Sequence, residues 1–138
     1  MILVSDTTPI ISLMKVGKLN LLKEMYGVVV IPFAVHDELT RNKAMEKEII
    51  TIEKNQFLRV NEVENHFAVN LLREQMNLGT GESEAIVLAE SIQADLLLID
   101  EKRARRIAKE MGIRTTGTIG LLLHAKATDH RVRSQSAF

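Results

Sequence analysis

The sequence predicts a three-layer α/β/α sandwich built on a parallel sheet of about five strands. Three observations carry that expectation. Short, continuous apolar runs recur along the chain, and several stop at an acid or a turn residue, as strands buried on both faces of a parallel sheet do. Segments with apolar residues at helical spacing lie between those runs, so that strands and helices alternate. The length of 138 residues suits one domain, and a chain of that size buries roughly two thirds of its unfolded surface without staples.

In chain order, the first strand is Ile2-Leu3-Val4, which stops at Ser5-Asp6. Ile10 to Met25 has helical spacing, interrupted at Val16-Gly17. Val28-Val29-Val30-Ile31 is β-branched throughout and stops at Pro32. Ala34 to about Lys54 is a polar helical stretch anchored by Val35, Leu39 and Ile49-Ile50. Phe57 to Val60 is a weaker strand, suited to an edge. Phe67 to Met76 is a short amphipathic helix. Gly79-Thr80-Gly81 opens a strongly periodic helix from Glu82 to Ile92. Leu96-Leu97-Leu98-Ile99 is a buried strand that stops at Asp100. Ala104 to Met111 ends at Gly112, a C-terminal stop. Ile113 to Thr116 is a second edge candidate. Gly117-Thr118 leads into a last apolar helix, Ile119 to Ala127, with Thr118 as its N-cap. The domain is read as residues 1–127. Thr128 to Phe138 is polar and aperiodic and reads as a frayed or disordered tail. There is no internal repeat and no low-complexity segment.

Composition excludes several classes. With no cysteine, disulfides and thiolate metal sites are out, and a reducing cytoplasm suits the chain. No stretch is long and apolar enough to span a membrane. Asp6 interrupts the N-terminal apolar run and no basic leader precedes it, so a signal peptide is not expected. The formal net charge is zero but unevenly spread. Between Glu62 and Glu101 nine acidic residues stand against one basic residue, and from Lys102 to Phe138 nine basic residues stand against two acidic ones. Such asymmetry can serve a nucleic-acid partner, or can simply solvate helical faces.

Ligands of an open parallel sheet bind beyond the carboxyl ends of its strands. Asp6 and Asp100 end apolar runs at such places, where a turn role is the ordinary alternative. Helical geometry adds two more acids. At about 100° per residue, Glu38 lies about 60° from Val35, at the edge of the buried stripe, and Asp37 lies about 160° away on the solvent side. Glu82 lies roughly 60° from Ala85, on the apolar side, whereas Glu84 and Glu90 fall about 100° and 140° away and look solvated. The plainer readings are a boundary glutamate for Glu38 and a first-turn acid complementing the helix dipole for Glu82. Four acids converging at one end of one sheet would repel, taking up protons or recruiting a cation. An oxygen-only set without His or Cys suits Mg²⁺ or Mn²⁺. Phosphodiester hydrolysis is the chemistry that follows.

The same residues resemble a known family. Val4-Ser5-Asp6-Thr7-Thr8-Pro9-Ile10 resembles the opening of PIN-domain proteins. Gly79-Thr80-Gly81-Glu82-Ser83-Glu84-Ala85-Ile86, running on to Ala94-Asp95-Leu96-Leu97-Leu98-Ile99-Asp100-Glu101, resembles their second half. Ala104-Arg105-Arg106-Ile107-Ala108 and Thr116-Gly117-Thr118-Ile119-Gly120 are similar to a prokaryotic subgroup of poorly assigned function, akin to VapC-type toxins. The pattern covers Met1 to about Ala127 and is specific in combination, though each piece alone is weak. It implies a five-stranded parallel sheet, a pocket of acids holding Mg²⁺ or Mn²⁺, and metal-dependent endoribonuclease activity. The partners implied are an RNA substrate, a small antitoxin protein and further copies of the chain, pairing through helical faces near Ile10–Met14 or Leu121–Leu123. Matched residue by residue, the acids are Asp6, Glu38, Glu82 and Asp100, with Glu101 able to share the last role and Thr7 or Thr8 holding a metal-bound water. One departure stands out. Members of the subgroup continue past the Leu121-Leu122-Leu123 helix into another apolar helical segment, where this chain has the polar stretch from Thr128 to Phe138.

Among the remaining residues, Lys102, Arg103, Arg105, Arg106 and Lys109 follow the acids. Arg103 and Arg105 are the candidates for contacts to an RNA backbone, and the others fit the outer face of an amphipathic helix. The histidines, 36, 66, 124 and 130, show no zinc spacing. Gly79-x-Gly81 lacks the Lys-Ser/Thr of a phosphate loop. Aromatic residues are too few to advertise base stacking. The main rival is a PIN-like module that binds RNA or protein without catalysis. A phosphoacceptor receiver domain lacks its early acidic pair here. An aspartate-nucleophile phosphotransferase lacks its second Asp, because Thr8 stands there.

Overall fold

A computed structural model describes residues 1–54 and 57–136, with side-chain surroundings as far as residue 128. The elements run β1 (Leu3–Ser5), α1 (Thr7–Lys15), α2 (Asn20–Tyr26), β2 (Val29–Pro32), α3 (Phe33–Arg41), α4 (Glu46–Lys54), β3 (Leu58–Asn61), α5 (His66–Gln75), α6 (Thr80–Ser91), β4 (Leu96–Leu98), α7 (Lys102–Glu110), β5 (Thr115–Thr116) and α8 (Thr118–Ser136). The strands form one sheet in the order β3-β2-β1-β4-β5. Every neighbouring pair is parallel, with Leu3 opposite both Val29 and Leu96.

The apolar runs lie at the centre of the sheet because both of their faces are covered. Val4, Val30 and Leu97 point into one core, shared with Val69 and Leu72 of α5, Ile86 of α6 and Ile107 of α7. Their neighbours Leu3, Val29, Ile31 and Leu98 point into the other, shared with Ile10 and Leu13 of α1, Leu22 of α2, Leu39 of α3 and Leu121 of α8. Side chains alternate between faces along each strand, so a run apolar at every position fills two cores. Each such side chain contributes roughly 1.5–3 kcal/mol by leaving water. The two weaker candidates, β3 and β5, are the edge strands, as their composition suggests.

Several boundaries differ from the sequence expectation. The polar stretch after Ala34 is two helices, α3 and α4, divided at Asn42, whose side chain accepts the Ala44 N–H at 3.2 Å. The periodic helix α6 is buried on more than one face: Ser83, Ile86 and Val87 are as enclosed as Ala85 and Leu88, because it packs on β1, β2 and β4 and also against α3 and α5. Gly112 follows α7 with φ of 84°, the left-handed conformation that glycine adopts freely. Thr118 is the first residue of α8, and its hydroxyl donates to Asp100, so it does not act as the N-cap. The helical backbone of α8 is described to Ser136; the expected tail falls mostly on residues 129–138, whose side chains lie outside the description. Among the described residues, no helix is long and apolar enough to cross a membrane.

Candidate active site

In a parallel sheet every strand ends at the same edge, and helices that follow strands begin there. Asp6 leaves β1 and is the N-cap of α1. Asp100 and Glu101 follow β4, and Glu101 is the N-cap of α7. Glu82 sits in the first turn of α6, and Asp100 accepts the first N–H of α8. Four helix N-termini, those of α1, α6, α7 and α8, therefore each present an acid at this edge. Their partial positive ends favour carboxylates held there. Glu38 is the exception, coming from the body of α3.

These side chains border one cleft of about 380 Å³, lined by Asp6, Glu38, Glu82, Asp100 and Glu101 together with Thr7, Thr8, Gly79 and Gly81. Asp6 is the most enclosed of the acids, at 6% exposure. Burial raises its pKa from 3.8 to about 7; the Thr7 backbone works against this, while the charges of Glu82, Glu38 and Asp100 add to it. The Glu82 pKa is also raised, first by burial, with Glu101 and Glu38 adding to the effect and the Gly79 N–H and Arg103 opposing it. Glu82 reaches back so that Oε1 accepts the Gly79 N–H at 3.3 Å. Its other oxygen, Oε2, is buried without a hydrogen-bond partner. A buried carboxylate oxygen with nothing to accept is costly, and either a proton or a cation would satisfy it.

Glu38 is exposed to solvent yet turned toward the cleft, where its Oε2 accepts the Thr7 hydroxyl at 2.5 Å. Asp37, one residue earlier, pairs with Arg41 on the outer side of α3 at 2.6 Å. Glu84, expected to be solvated, is half-buried and accepts the Ala34 N–H at 3.1 Å, tying α6 to the first turn of α3. Glycines clear the space these carboxylates occupy. A Cβ on Gly81 would sit 2.7 Å from Glu38 Oε1, and one on Gly79 would sit 3.0 Å from Glu82 Oε1. The sequence marks Gly79-Thr80-Gly81 as a helix opening and as part of the family pattern; the room these glycines leave for the carboxylates depends on how α3 and α6 pack.

The remaining candidates divide. Glu101 is committed to α7, accepting the N–H groups of Arg103 at 3.0 Å and Ala104 at 2.6 Å, which hold its pKa below the ordinary glutamate value. Thr8 is exposed at the rim, while Thr7 is buried and engaged by Glu38. Arg103 is exposed beside Glu82. Arg105 is half-buried and donates to the carbonyls of Ile99 and Asp100, so it braces the β4–α7 loop. His36 pairs with Glu53 of α4 and does not line the cleft. Among the described residues, no three acid or histidine side chains close around a single point that could hold a metal ion as they stand. Thr7, Gly79 and Thr118 each draw one carboxylate aside. The donor set itself fits a hard divalent cation: oxygens only, one of them buried and unpartnered.

A family model described as a PIN domain (DUF3368) matches residues 2–135. Among solved structures, the chain is similar to PAE2754 from Pyrobaculum aerophilum, with a TM-score of 0.61 and 12% identity over 92% of this chain and 99% of that one. At that identity the likeness bears on the fold alone. No curated protein matches the chain.

Proposed function

The chain belongs to the PIN-domain family, whose members are typically nucleases that use divalent metals, and on that footing we propose that it is a metal-dependent ribonuclease. The observation that carries the proposal is the buried Asp6, facing Glu38, Glu82 and Asp100 across one cleft at the carboxyl edge of the sheet. Asp6, Glu82, Asp100 and Glu38 would hold Mg²⁺ or Mn²⁺. Bound there, the ion supplies Lewis-acid polarisation of a phosphodiester and a water acidic enough to attack near neutral pH. Glu82 Oε2 offers the unpartnered oxygen. Asp6 is the most enclosed of these carboxylates and would offer its oxygens from within the cleft. Thr8 presents its hydroxyl at the rim, where a water can be oriented. Arg103 stands at the mouth, placed to meet a phosphate, while Arg105 is occupied by its two backbone carbonyls.

The narrower form of the reading is the toxin half of a toxin–antitoxin pair. Of the helical faces expected to pair copies of the chain, Ile10, Leu13 and Leu121 are buried in the core, whereas Leu123 and the neighbouring Ile119 of α8 stand 62% and 74% exposed. A non-catalytic binding module is the second reading, and the spacing of the acids as they stand favours it. Cleavage of a mixed-sequence labelled RNA with Mn²⁺ or Mg²⁺, beside an EDTA control and the Asp6→Asn protein, separates the two. Cleavage that needs both metal and Asp6 is expected. RNA binding with no cleavage by the folded, metal-loaded protein would favour the module.

A further inference from the structure

Asp100 is held on both carboxylate oxygens by a single residue of another element. Its Oδ1 accepts the Thr118 N–H at 2.6 Å and its Oδ2 accepts the Thr118 hydroxyl at 2.8 Å. Its backbone is gripped from the other side, where Arg105 Nη1 donates to the carbonyls of Ile99 at 3.2 Å and Asp100 at 3.0 Å. Gly117 lies between the two. A Cβ there would sit 2.5 Å from Arg105 Nη1 and 3.0 Å from Asp100 Oδ1. One acid is thus held through its backbone by α7 and through its carboxylate by α8, with Gly117 leaving the room for both.

This arrangement exceeds what closing a helix end requires. An N-cap is ordinarily the residue just before the helix, accepting through its own side chain. Here the acceptor comes from 18 residues earlier, and the helix's first side chain adds a hydroxyl donor to the same carboxylate. A carboxylate has about four lone-pair sites. Thr118 takes one on each oxygen, which leaves one on each for a cation. We propose that Thr118, supported by Arg105, is a positioning residue for the cleft: it fixes the orientation of Asp100 so that the free lone pairs meet a divalent cation. The proposal rests on the reading of the cleft as a metal centre. Partners of metal-ligating carboxylates fix ligand orientation in this way, and losing one weakens metal binding by roughly 10- to 100-fold.

The test is calorimetric titration of the full chain with Mn²⁺, with thermal denaturation in EDTA as a separate measure of folding. Thr118→Val removes the hydroxyl and keeps both the shape and the backbone N–H; Thr118→Ser keeps the hydroxyl. Mn²⁺ affinity should fall about ten-fold or more in Thr118→Val and match the wild type in Thr118→Ser. Arg105→Met, which keeps the length of the side chain but has no N–H to give the Ile99 and Asp100 carbonyls, should weaken Mn²⁺ in the same direction. Thr118→Ala serves if Thr118→Val does not fold. Unchanged Mn²⁺ affinity in the hydroxyl-deleted protein, whatever its melting temperature, overturns the proposal and leaves Thr118 as an anchor for α8. A wild-type protein that takes no Mn²⁺ overturns it together with the metal centre. Mn²⁺ binding that depends on Thr118, in a protein that cleaves no RNA, sustains the proposal and removes only the nuclease.

Discussion

Glu38 and Gly81 are close enough that a side chain added at Gly81 must move the Glu38 carboxylate. The carboxylate of Glu38 fills the volume where a side chain on Gly81 would begin. Gly81 does not have a positive φ, and alanine is favoured over glycine in helices by up to about 1 kcal/mol. Gly81→Ala should therefore keep or raise the melting temperature while displacing Glu38, with Mn²⁺ affinity and RNA cleavage both falling about ten-fold or more. Unchanged activity in that variant would remove Glu38 from the site. Asp6 makes a second residue-scale prediction. Its pKa is about 7 folded against 3.8 for the free side chain, so the folded state holds the proton more tightly. Asp6 then favours folding fully below about pH 4, and that contribution is lost as pH rises through about 7, a change on the order of 4 kcal/mol. Urea denaturation in EDTA at pH 5 and pH 8 should show wild type losing stability relative to Asp6→Asn between the two. Parallel behaviour of the two proteins would contradict the burial argument. These residues differ in how legible they are. Asp6 and Asp100 announce themselves by ending apolar runs, and the helical angle separates Glu38 from Asp37. Glu101 and Arg105 could not be resolved that way, because a cap and a brace depend on which backbone groups lie nearby.

At the scale of elements, α3 and α6 decide whether the cleft exists. Glu38 rides on α3 and Glu82 on α6, and the Glu84 bond to the Ala34 N–H ties the two where both begin. Glu84→Ala leaves that N–H without its partner, at a cost of about 1–3 kcal/mol, measurable by urea denaturation. It should also weaken Mn²⁺ binding, because α3 carries Glu38 one turn beyond Ala34. Unaltered Mn²⁺ affinity in Glu84→Ala would mean that α3 is held in place without this tie. The central strands were legible because burial on both faces removes every polar residue from a run. The full burial of α6 was not, since periodicity reports one apolar face, and the packing of α3 and α5 over its other sides is a tertiary fact. The break between α3 and α4 was equally hidden: neither glycine nor proline marks it, only Asn42 closing a turn on Ala44.

Across the whole molecule, parallel topology does the gathering. One sheet order puts β1 between β2 and β4, so the residues that follow these three strands share an edge, and Asp6, Glu38 and Asp100 meet although distant in sequence. The order itself could not be read from the residues, only that two weak strands suited edges. The charge asymmetry also acts at this scale. Acids line the cleft, while the basic helix α7 begins directly after Glu101, with Arg103 near Glu82. For two to three phosphate contacts, raising salt from about 50 to 200 mM should weaken binding of single-stranded RNA about ten-fold, as measured by fluorescence anisotropy. A salt-independent affinity would remove α7 from the RNA path. The central claim is that this edge holds a divalent cation, and it is tested most directly by anomalous diffraction from crystals soaked in Mn²⁺. The account predicts an anomalous peak within coordinating distance of Asp6 and Glu82 that disappears in Asp6→Asn crystals. Peaks confined to other surfaces, with the cleft empty at saturating Mn²⁺, would contradict it.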